Sequence, residues 1–440
     1  MIQSLLIANR GEIAVRIIRS CREIGIRTVV AYSQADKDSL PVRMADQSVC
    51  VGPAASKDSY LNIRNLVTAA VLSGCDALHP GVGFLAENSD FAREVIEAGL
   101  IWVGPDPEVI DLLGDKIRAK QSAQELTIPV TPGSEGSVGN LDEAAEVAKE
   151  IGYPVIVKAA AGGGGKGIRI VRDAADLKDV LKIAALEAER AFSDGTLYLE
   201  KYLENPRHVE VQIVADSKGN VVHLGERDCT VQQNHQKLVE ESPSPAVDPQ
   251  LRAKMGDDAV RLLRGLGYTG AGTVEFLVKD GKHYFMEVNA RVQVEHPVSE
   301  MATGVDIIRQ QLLAAGGEGI EIAQADVRQT QYAVECRVNA KTAGRISLFI
   351  PPGGFGVRVD TFLYAGYLVP PYYDHLVAKL IVTGKNRAEG LTRMSRALSE
   401  FVIEGIATNI PLQQKIVAHP VFRKGVYGTG FLAEILKEGA

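Results

Sequence analysis

The chain has 440 residues, 46% hydrophobic and 23% charged, a composition typical of folded globular proteins that excludes disordered and fibrous classes. Lys and Arg number 48 against 55 Asp and Glu, giving a net charge of −7 with no basic block, so neither nucleic acid nor an anionic membrane is the expected partner. No apolar stretch is long enough to span a bilayer, charges arrive too early for a secretory signal, and five scattered cysteines without a C-x-x-C pair read as reduced thiols of a cytoplasmic protein.

The first stretch alternates strand and helix patterns. Residues 4–8 are a short apolar run, 12–24 carry apolar side chains at helical spacing, and 28–32 are apolar and β-branched. Residues 48–53 and 100–105 read as two further strands ending in Val-Gly-Pro. This alternation predicts a parallel sheet covered by helices on both faces, over residues 1–115. Asn9-Arg10-Gly11-Glu12 is not a G-x-G-x-x-G fingerprint, so no dinucleotide site is assigned. Residues 116–126 read as a linking helix, and Pro129, Pro132 and Gly133 then open a second module. Its predicted strands are 153–159, 168–171 and 197–200, with a helix over 177–192. A third region runs from about 204, starting with strands 208–215 and 221–226 and closing with a helix over 389–401 and a short terminal helix.

Four features carry chemistry. The run Ala159-Ala160-Ala161-Gly162-Gly163-Gly164-Gly165-Lys166-Gly167 joins two strands and lacks the Walker order. Such a run reads either as a flexible hairpin or as a flap whose N–H groups approach phosphate, with Lys158 over the same anion. Next, 272–278 and 284–289 read as a hairpin; a turn centred on Gly281 sets Glu275 opposite Glu287. Opposed like charges destabilise a sheet, and a divalent cation between them is the natural compensation, with Asn289 and Arg291 continuing that face. In 291–297, strand alternation groups Arg291, Gln293 and Glu295: a cation, an amide and a base suited to a small oxyanion. Finally, 228–237 reads as a polar loop, in which His235 and Lys237 gain weight from the other motifs.

With these residues in view the chain resembles biotin carboxylase, a member of the ATP-grasp superfamily, over nearly its whole length. The resemblance rests on Ala8-Asn9-Arg10-Gly11-Glu12-Ile13-Ala14, Asp58-Ser59-Tyr60-Leu61-Asn62, His79-Pro80-Gly81, Gly114-Asp115-Lys116, residues 158–167, 200–208 and 287–297, Glu335-Cys336-Arg337, and residues 366–374. It implies an α/β and α+β fold: an N-terminal parallel-sheet domain (1–115), an ATP-grasp domain (116–317) with a mobile lid at about 131–203, and a C-terminal domain (318–440).

The resemblance also implies an ATP-dependent carbon–nitrogen ligase that activates bicarbonate through carboxyphosphate and carboxylates biotin on a carrier protein. Lys116, Lys158 and His208 would then contact ATP phosphates, and Glu200, Lys201 and Leu203 the adenine and ribose. Gly163, Gly164 and Gly165 would supply flap N–H groups, and Gln232, His235 and Leu277 also belong to the cofactor-binding set. Glu275, Glu287 and Asn289 would hold Mg²⁺ or Mn²⁺ (about two ions). Lys237, Arg291, Gln293 and Val294 would bind bicarbonate, Glu295 would deprotonate it, and Arg337 would stabilise the biotin enolate oxygen.

Three places depart from the family. Val82 replaces a usual tyrosine, Gln233 and Asn234 replace two usual arginines, and the segment after Asn339 is shorter than usual. The dimer contacts matching Arg19, Glu23, Phe355 and Arg358 are retained, so a homodimer is expected. No Met-Lys-Met carrier signature occurs, so biotin is expected on a separate biotin carboxyl carrier protein, with carboxyltransferase subunits as further partners. Acetyl-CoA carboxylase is the expected setting, with pyruvate or propionyl-CoA systems as alternatives. A different acceptor nitrogen, or a carrier-binding regulatory paralogue, are the competing readings; intact Glu295, Arg291 and Arg337 count against the latter.

Overall fold

The computed structural model describes residues 1–138, 140–160, 168–234 and 236–438. Near the N-terminus β1 (Ser4–Ile7), β2 (Arg27–Ser33), β3 (Gln47–Gly52), β4 (Ala77–His79) and β5 (Ile101–Trp102) form a parallel sheet in the order β3-β2-β1-β4-β5. Consecutive residues of β1 enter different cores, Leu6 one and Leu5 and Ile7 the other, because both faces are covered. The order reverses between β1 and β4, and a crevice opens beyond their carboxyl ends. Asn9 ties the two loops there, its Nδ2 donating to the carbonyls of Pro80 at 2.7 Å and Val82 at 2.8 Å. Gly81 has φ +70°, and a Cβ on it would lie 2.7 Å from that amide, so only glycine allows the approach.

Helix Lys116–Glu125 is capped by Asp115, which accepts from the N–H groups of Ile117 and Arg118 and sets Lys116 in the first turn. A three-stranded antiparallel sheet follows, in the order β7-β6-β8: β6 (Val155–Ala159), β7 (Arg169–Val171) and β8 (Leu197–Lys201). Helices Leu141–Ile151 and Leu177–Phe192 pack small residues such as Ala144, Ala148, Ala184 and Ala188 against it.

The largest sheet has eight antiparallel strands. It runs β13 (Lys282–Asn289), β12 (Gly270–Lys279), β9 (Arg207–Ala215), β10 (Val221–Gln233), β11 (Gln236–Ser242), β14 (Tyr332–Asn339), then strands Leu376–Gly384 and Val357–Thr361. It is continuous from one side of residue 318 to the other through the pairing of β11 with β14. Thus residues from both halves of the chain face one cleft.

Three local expectations need correction. The hairpin turn is centred on the pair Asp280-Gly281, both with positive φ (51° and 69°), which suits the twist of the strands. Lys279 pairs with Lys282 and Phe276 with Phe285; an irregularity then leaves Met286 unpaired and brings Glu275 opposite Glu287. The opposition is as expected, but a bulge creates it. Second, 228–233 continue β10 and 236–242 form β11, so the polar stretch is a tight hairpin; Gln232, Asn234, Gln236 and Lys237 line a cleft, which hides the strand pattern. Third, 291–295 are an irregular segment leading into helix His296–Thr303, not a strand, so alternation is not what groups Arg291, Gln293 and Glu295.

Candidate active site

A cleft of about 1290 Å³ lies between the β1 and β4 loops, the three-stranded sheet and the large sheet. Every candidate residue that the structure describes lines it: Lys116, Lys158, Glu200, Lys201, Leu203, His208, Gln232, Lys237, Glu275, Leu277, Glu287, Asn289, Arg291, Gln293, Val294, Glu295 and Arg337. Gly163, Gly164, Gly165 and His235 lie outside the described residues, as does the rest of 161–167.

At its floor three carboxylates converge on one ammonium. Lys237 Nζ on β11 reaches Glu210 Oε2 on β9 at 2.5 Å, Glu275 Oε1 on β12 at 3.0 Å and Glu295 Oε1 at 2.7 Å. Burial alone would lower the pKa of Lys237, but Glu210, Glu275 and Glu295 hold it well above the usual lysine value. Conversely, burial would raise the pKa of Glu295, yet Lys237, Arg337 and Arg227 hold it well below the carboxylate range. Glu295 also accepts from Arg337 Nη2 at 2.9 Å, while Arg337 Nε donates to Glu240 at 2.5 Å. Arg227, fully buried, donates to Glu210 Oε1 at 2.7 Å and to Gln293 Oε1 at 2.8 Å. Gln293 Nε2 in turn donates to Glu275 at 2.9 Å, so its amide is held at both ends.

Two trios of metal-ligating side chains lie close together here, His208, Glu210 and Glu275, and Glu210, Cys229 and Glu295. Lys237 bonds Glu210, Glu275 and Glu295, which accounts for that gathering of acids without an ion. The pair Glu275 and Glu287 is likewise engaged by protein groups: His208 Nε2 lies 2.6 Å from Glu275 and Lys116 Nζ 3.2 Å from Glu287. Asn289 completes that edge, its Nδ2 donating to Glu275 at 2.8 Å and its Oδ1 accepting from Arg291 at 3.1 Å. Glu275, Glu287 and the Asn289 amide oxygen make an all-oxygen donor set, which fits a hard divalent ion such as Mg²⁺ or Mn²⁺.

On the other wall Glu200 accepts from Lys158 at 2.5 Å and Lys120 at 3.0 Å, and these lysines lower its pKa despite burial. Its carboxylate therefore positions Lys158. The Lys201 ammonium donates to the carbonyls of Gly152 and Tyr153, at 2.9 and 3.0 Å. Gln232 Nε2 donates to His208 Nδ1 at 2.8 Å, which sets the imidazole toward Glu275.

The sequence reading missed several residues that hold these groups. Glu87 accepts from Arg291 Nε at 2.9 Å and from the Ala290 N–H at 2.8 Å, with no local motif to announce it. Lys379, fully buried, joins Glu12 at 2.8 Å to the Val294 carbonyl at 2.8 Å. Glu210 was findable, since it lies two residues beyond His208 on one strand and so shares its face. Of the departures, Val82 lines the cleft, as do Phe84 and Tyr373, while packing on the N-terminal core; Asn234 also lines it, and Gln233 is exposed at the same hairpin end.

Family models match in three stretches. "Biotin carboxylase, N-terminal domain" covers 1–110, "Carbamoyl-phosphate synthase L chain, ATP binding domain" 115–324, and "Biotin carboxylase C-terminal domain" 335–434. Biotin carboxylase 1 of Bacillus subtilis is 53% identical over 442 residues, covering 98% of each chain. The crystal structure of a biotin carboxylase–β-γ-ATP complex from Campylobacter jejuni superposes with a TM-score of 0.96 at 45% identity, over 99% of both chains. The biotin carboxylase domain dimer of Hydrogenobacter thermophilus 2-oxoglutarate carboxylase, with MgADP, ADP and bicarbonate, gives 0.94 at 45% identity, over 99% of this chain and 98% of that one.

Proposed function

The chain belongs to the biotin carboxylase family of ATP-dependent ligases, and from that premise we propose how its own residues divide the work. The observation that carries the reading is the convergence of Lys237, Arg337 and Glu295 beside Gln293 and Val294 in one cleft. Lys237, Arg291, Gln293 and the Val294 backbone bind bicarbonate. Glu295 takes its proton: an anion that shares Lys237 withdraws part of the charge holding Glu295 ionised, and its proton affinity rises.

Lys116, Lys158 and His208 bind the phosphates of ATP, and Glu200, Lys201 and Leu203, which line the same cleft, hold the adenine and ribose. Glu275, Glu287 and Asn289 hold Mg²⁺ or Mn²⁺, which when bound neutralises phosphate charge. A bicarbonate oxygen attacks the γ-phosphorus, the bond to the β-phosphate oxygen breaks, and carboxyphosphate and ADP form. Carboxyphosphate splits to CO₂ and phosphate, phosphate takes the proton of the biotin ureido nitrogen, and that nitrogen bonds CO₂. Arg337 stabilises the oxygen that carries negative charge as biotin loses its proton. The cleft keeps carboxyphosphate from water.

The division 1–115, 116–317 and 318–440 is part of this reading, as are a separate carrier, carboxyltransferase partners and a cytoplasmic setting. Among the described residues no helix is long and apolar enough to cross a membrane. A homodimer through Arg19, Glu23, Phe355 and Arg358 is supported by Phe355, which is 87% exposed. Acetyl-CoA is the first choice of final acceptor; the likeness to a 2-oxoglutarate carboxylase domain favours a 2-oxo acid as the second. The test is ATP hydrolysis with Mg²⁺ and bicarbonate, with and without biotin, trapping carboxybiotin. Biotin-stimulated, bicarbonate-dependent turnover supports the reading; hydrolysis indifferent to biotin sends the search to another acceptor.

A further inference from the structure

Behind Arg337 two acids oppose each other. Glu240 on β11 pairs directly with Glu335 on β14, and both are fully buried. On its other side Glu335 pairs with the apolar Ile381. Neither Glu335 oxygen has a hydrogen-bond partner among the described residues, and Glu240 Oε2 has none either. The cations that face them reach only Glu240 Oε1 and leave Glu240 Oε2 and both Glu335 oxygens unpartnered. From β14 itself, Arg337 meets Glu240 Oε1 and Glu295; from β11, Lys237 meets Glu210, Glu275 and Glu295. From strand Leu376–Gly384, Lys379 meets Glu12 and the Val294 carbonyl. Helix His296–Thr303 meets this stretch of β14 through Val298 and Ala302 against Ala333.

An ionised carboxylate with no partner at such depth is untenable; the group neutralises instead. We propose that Glu240 and Glu335 hold one proton between them at neutral pH, and that Glu335 is thereby a positioning residue that keeps a second negative charge from behind Arg337. The cross-strand spacing of a directly opposed pair, about 5 Å between Cβ atoms, lets a protonated Glu335 donate toward Glu240. Burial and the neighbouring acids push the Glu335 carboxyl well above the usual range, and burial pushes Glu240 up to about 7.

The consequence for chemistry has a definite sign. While the pair keeps its proton, Arg337 faces Glu240 at its Nε and Glu295 at its Nη2, and no further negative charge stands behind it. When the pair loses the proton at alkaline pH, an added negative charge stands behind the guanidinium. Stabilisation of an anionic oxygen on the acceptor then weakens. This step rests on the role given above to Arg337, whereas the shared proton does not.

Two measurements test it. Infrared difference spectroscopy of the unliganded protein across a pH titration is expected to show the carbonyl stretch of a buried protonated carboxylic acid at neutral pH, lost in alkali and absent in Glu335→Gln. The alkaline fall of kcat for biotin carboxylation in Glu335→Gln, which is neutral at every pH, is expected to lie higher than in the wild type by at least about one pH unit. Wild-type protein without that acid band overturns the shared proton, even if the variant fails to fold. Superimposable pH profiles, or a wild-type profile with no alkaline fall, overturn the positioning role. A chain that shows the band yet never carboxylates biotin would sink the functional reading and leave the acid pair standing.

Discussion

Glu275 and Glu287 lie opposite each other across the β12–β13 hairpin because Met286 is unpaired between them and the tight turn. Without that extra residue the register set by Lys279 and Lys282 would place Glu275 across from Met286, and the second carboxylate would turn away. The opposition is held by His208 and Lys237 on one acid and Lys116 on the other.

From this arrangement Glu287→Gln is expected to raise the Mg²⁺ concentration needed for half-maximal ATP use on the order of 10-fold. Stability should change little, since Glu287 is part-exposed and its bond to Lys116 is 3.2 Å long. A titration of ATP cleavage against Mg²⁺ decides it: an unchanged midpoint removes the hairpin as the metal site.

Arg337 lies between Glu240 and Glu295, the acid assigned to bicarbonate. Arg337→Ala is expected to reduce biotin carboxylation far more than biotin-independent, bicarbonate-dependent ATP cleavage. The variant leaves the buried Glu240 without its cation, while Glu295 keeps Lys237, so a stability loss of about 3–5 kcal/mol accompanies it. Both rates should therefore be measured well below its unfolding midpoint, with Arg337→Lys restoring the charge as control. Equal loss of both rates in Arg337→Ala would remove the assigned role.

Much of this was legible from residues. The parallel sheet followed from apolar runs separated by helical spacing, and helix 177–192 was read with its observed ends. The site residues that the structure describes were named because each lies in a short motif. What stayed hidden were partners far apart in the chain. Glu87 meets Arg291 across 204 positions and Lys379 meets the Val294 carbonyl across 85, with neither spacing written in any local pattern. The 228–237 strands were hidden by their polar side chains: a sheet face that lines a wet cleft loses the hydrophobic alternation by which strands are recognised.

His79 gives a pH prediction outside the cleft chemistry. Burial pushes its imidazole down to about 4 from the ordinary 6.5, so the unfolded chain takes up a proton that the folded one refuses. That stability is fully present above about 6.5 and is lost as pH falls toward about 4, with a limit of about 3 kcal/mol. Its Nδ1 accepts from the Gly81 N–H at 3.0 Å, a bond that Asn can imitate. Urea midpoints at pH 7.5 and pH 5 should therefore differ less in His79→Asn than in the wild type. Equal acid sensitivity would place the titration elsewhere.

Lys379 is fully buried, and its ion pair with Glu12 and its hydrogen bond to the Val294 carbonyl do different things. The ion pair with Glu12 balances a buried charge, while the hydrogen bond to the Val294 carbonyl fixes the backbone assigned to bicarbonate. Lys379→Met is expected to cost about 3–5 kcal/mol because Glu12 is left alone. It should also raise the KM for bicarbonate, because the 293–295 segment loses its tether. Adding Glu12→Gln separates the two effects: the double variant has no orphaned charge, so its urea midpoint should recover most of the loss, but the Val294 carbonyl stays free and KM should stay raised. Should KM recover together with stability, Lys379 would be a structural lysine that merely neutralises Glu12.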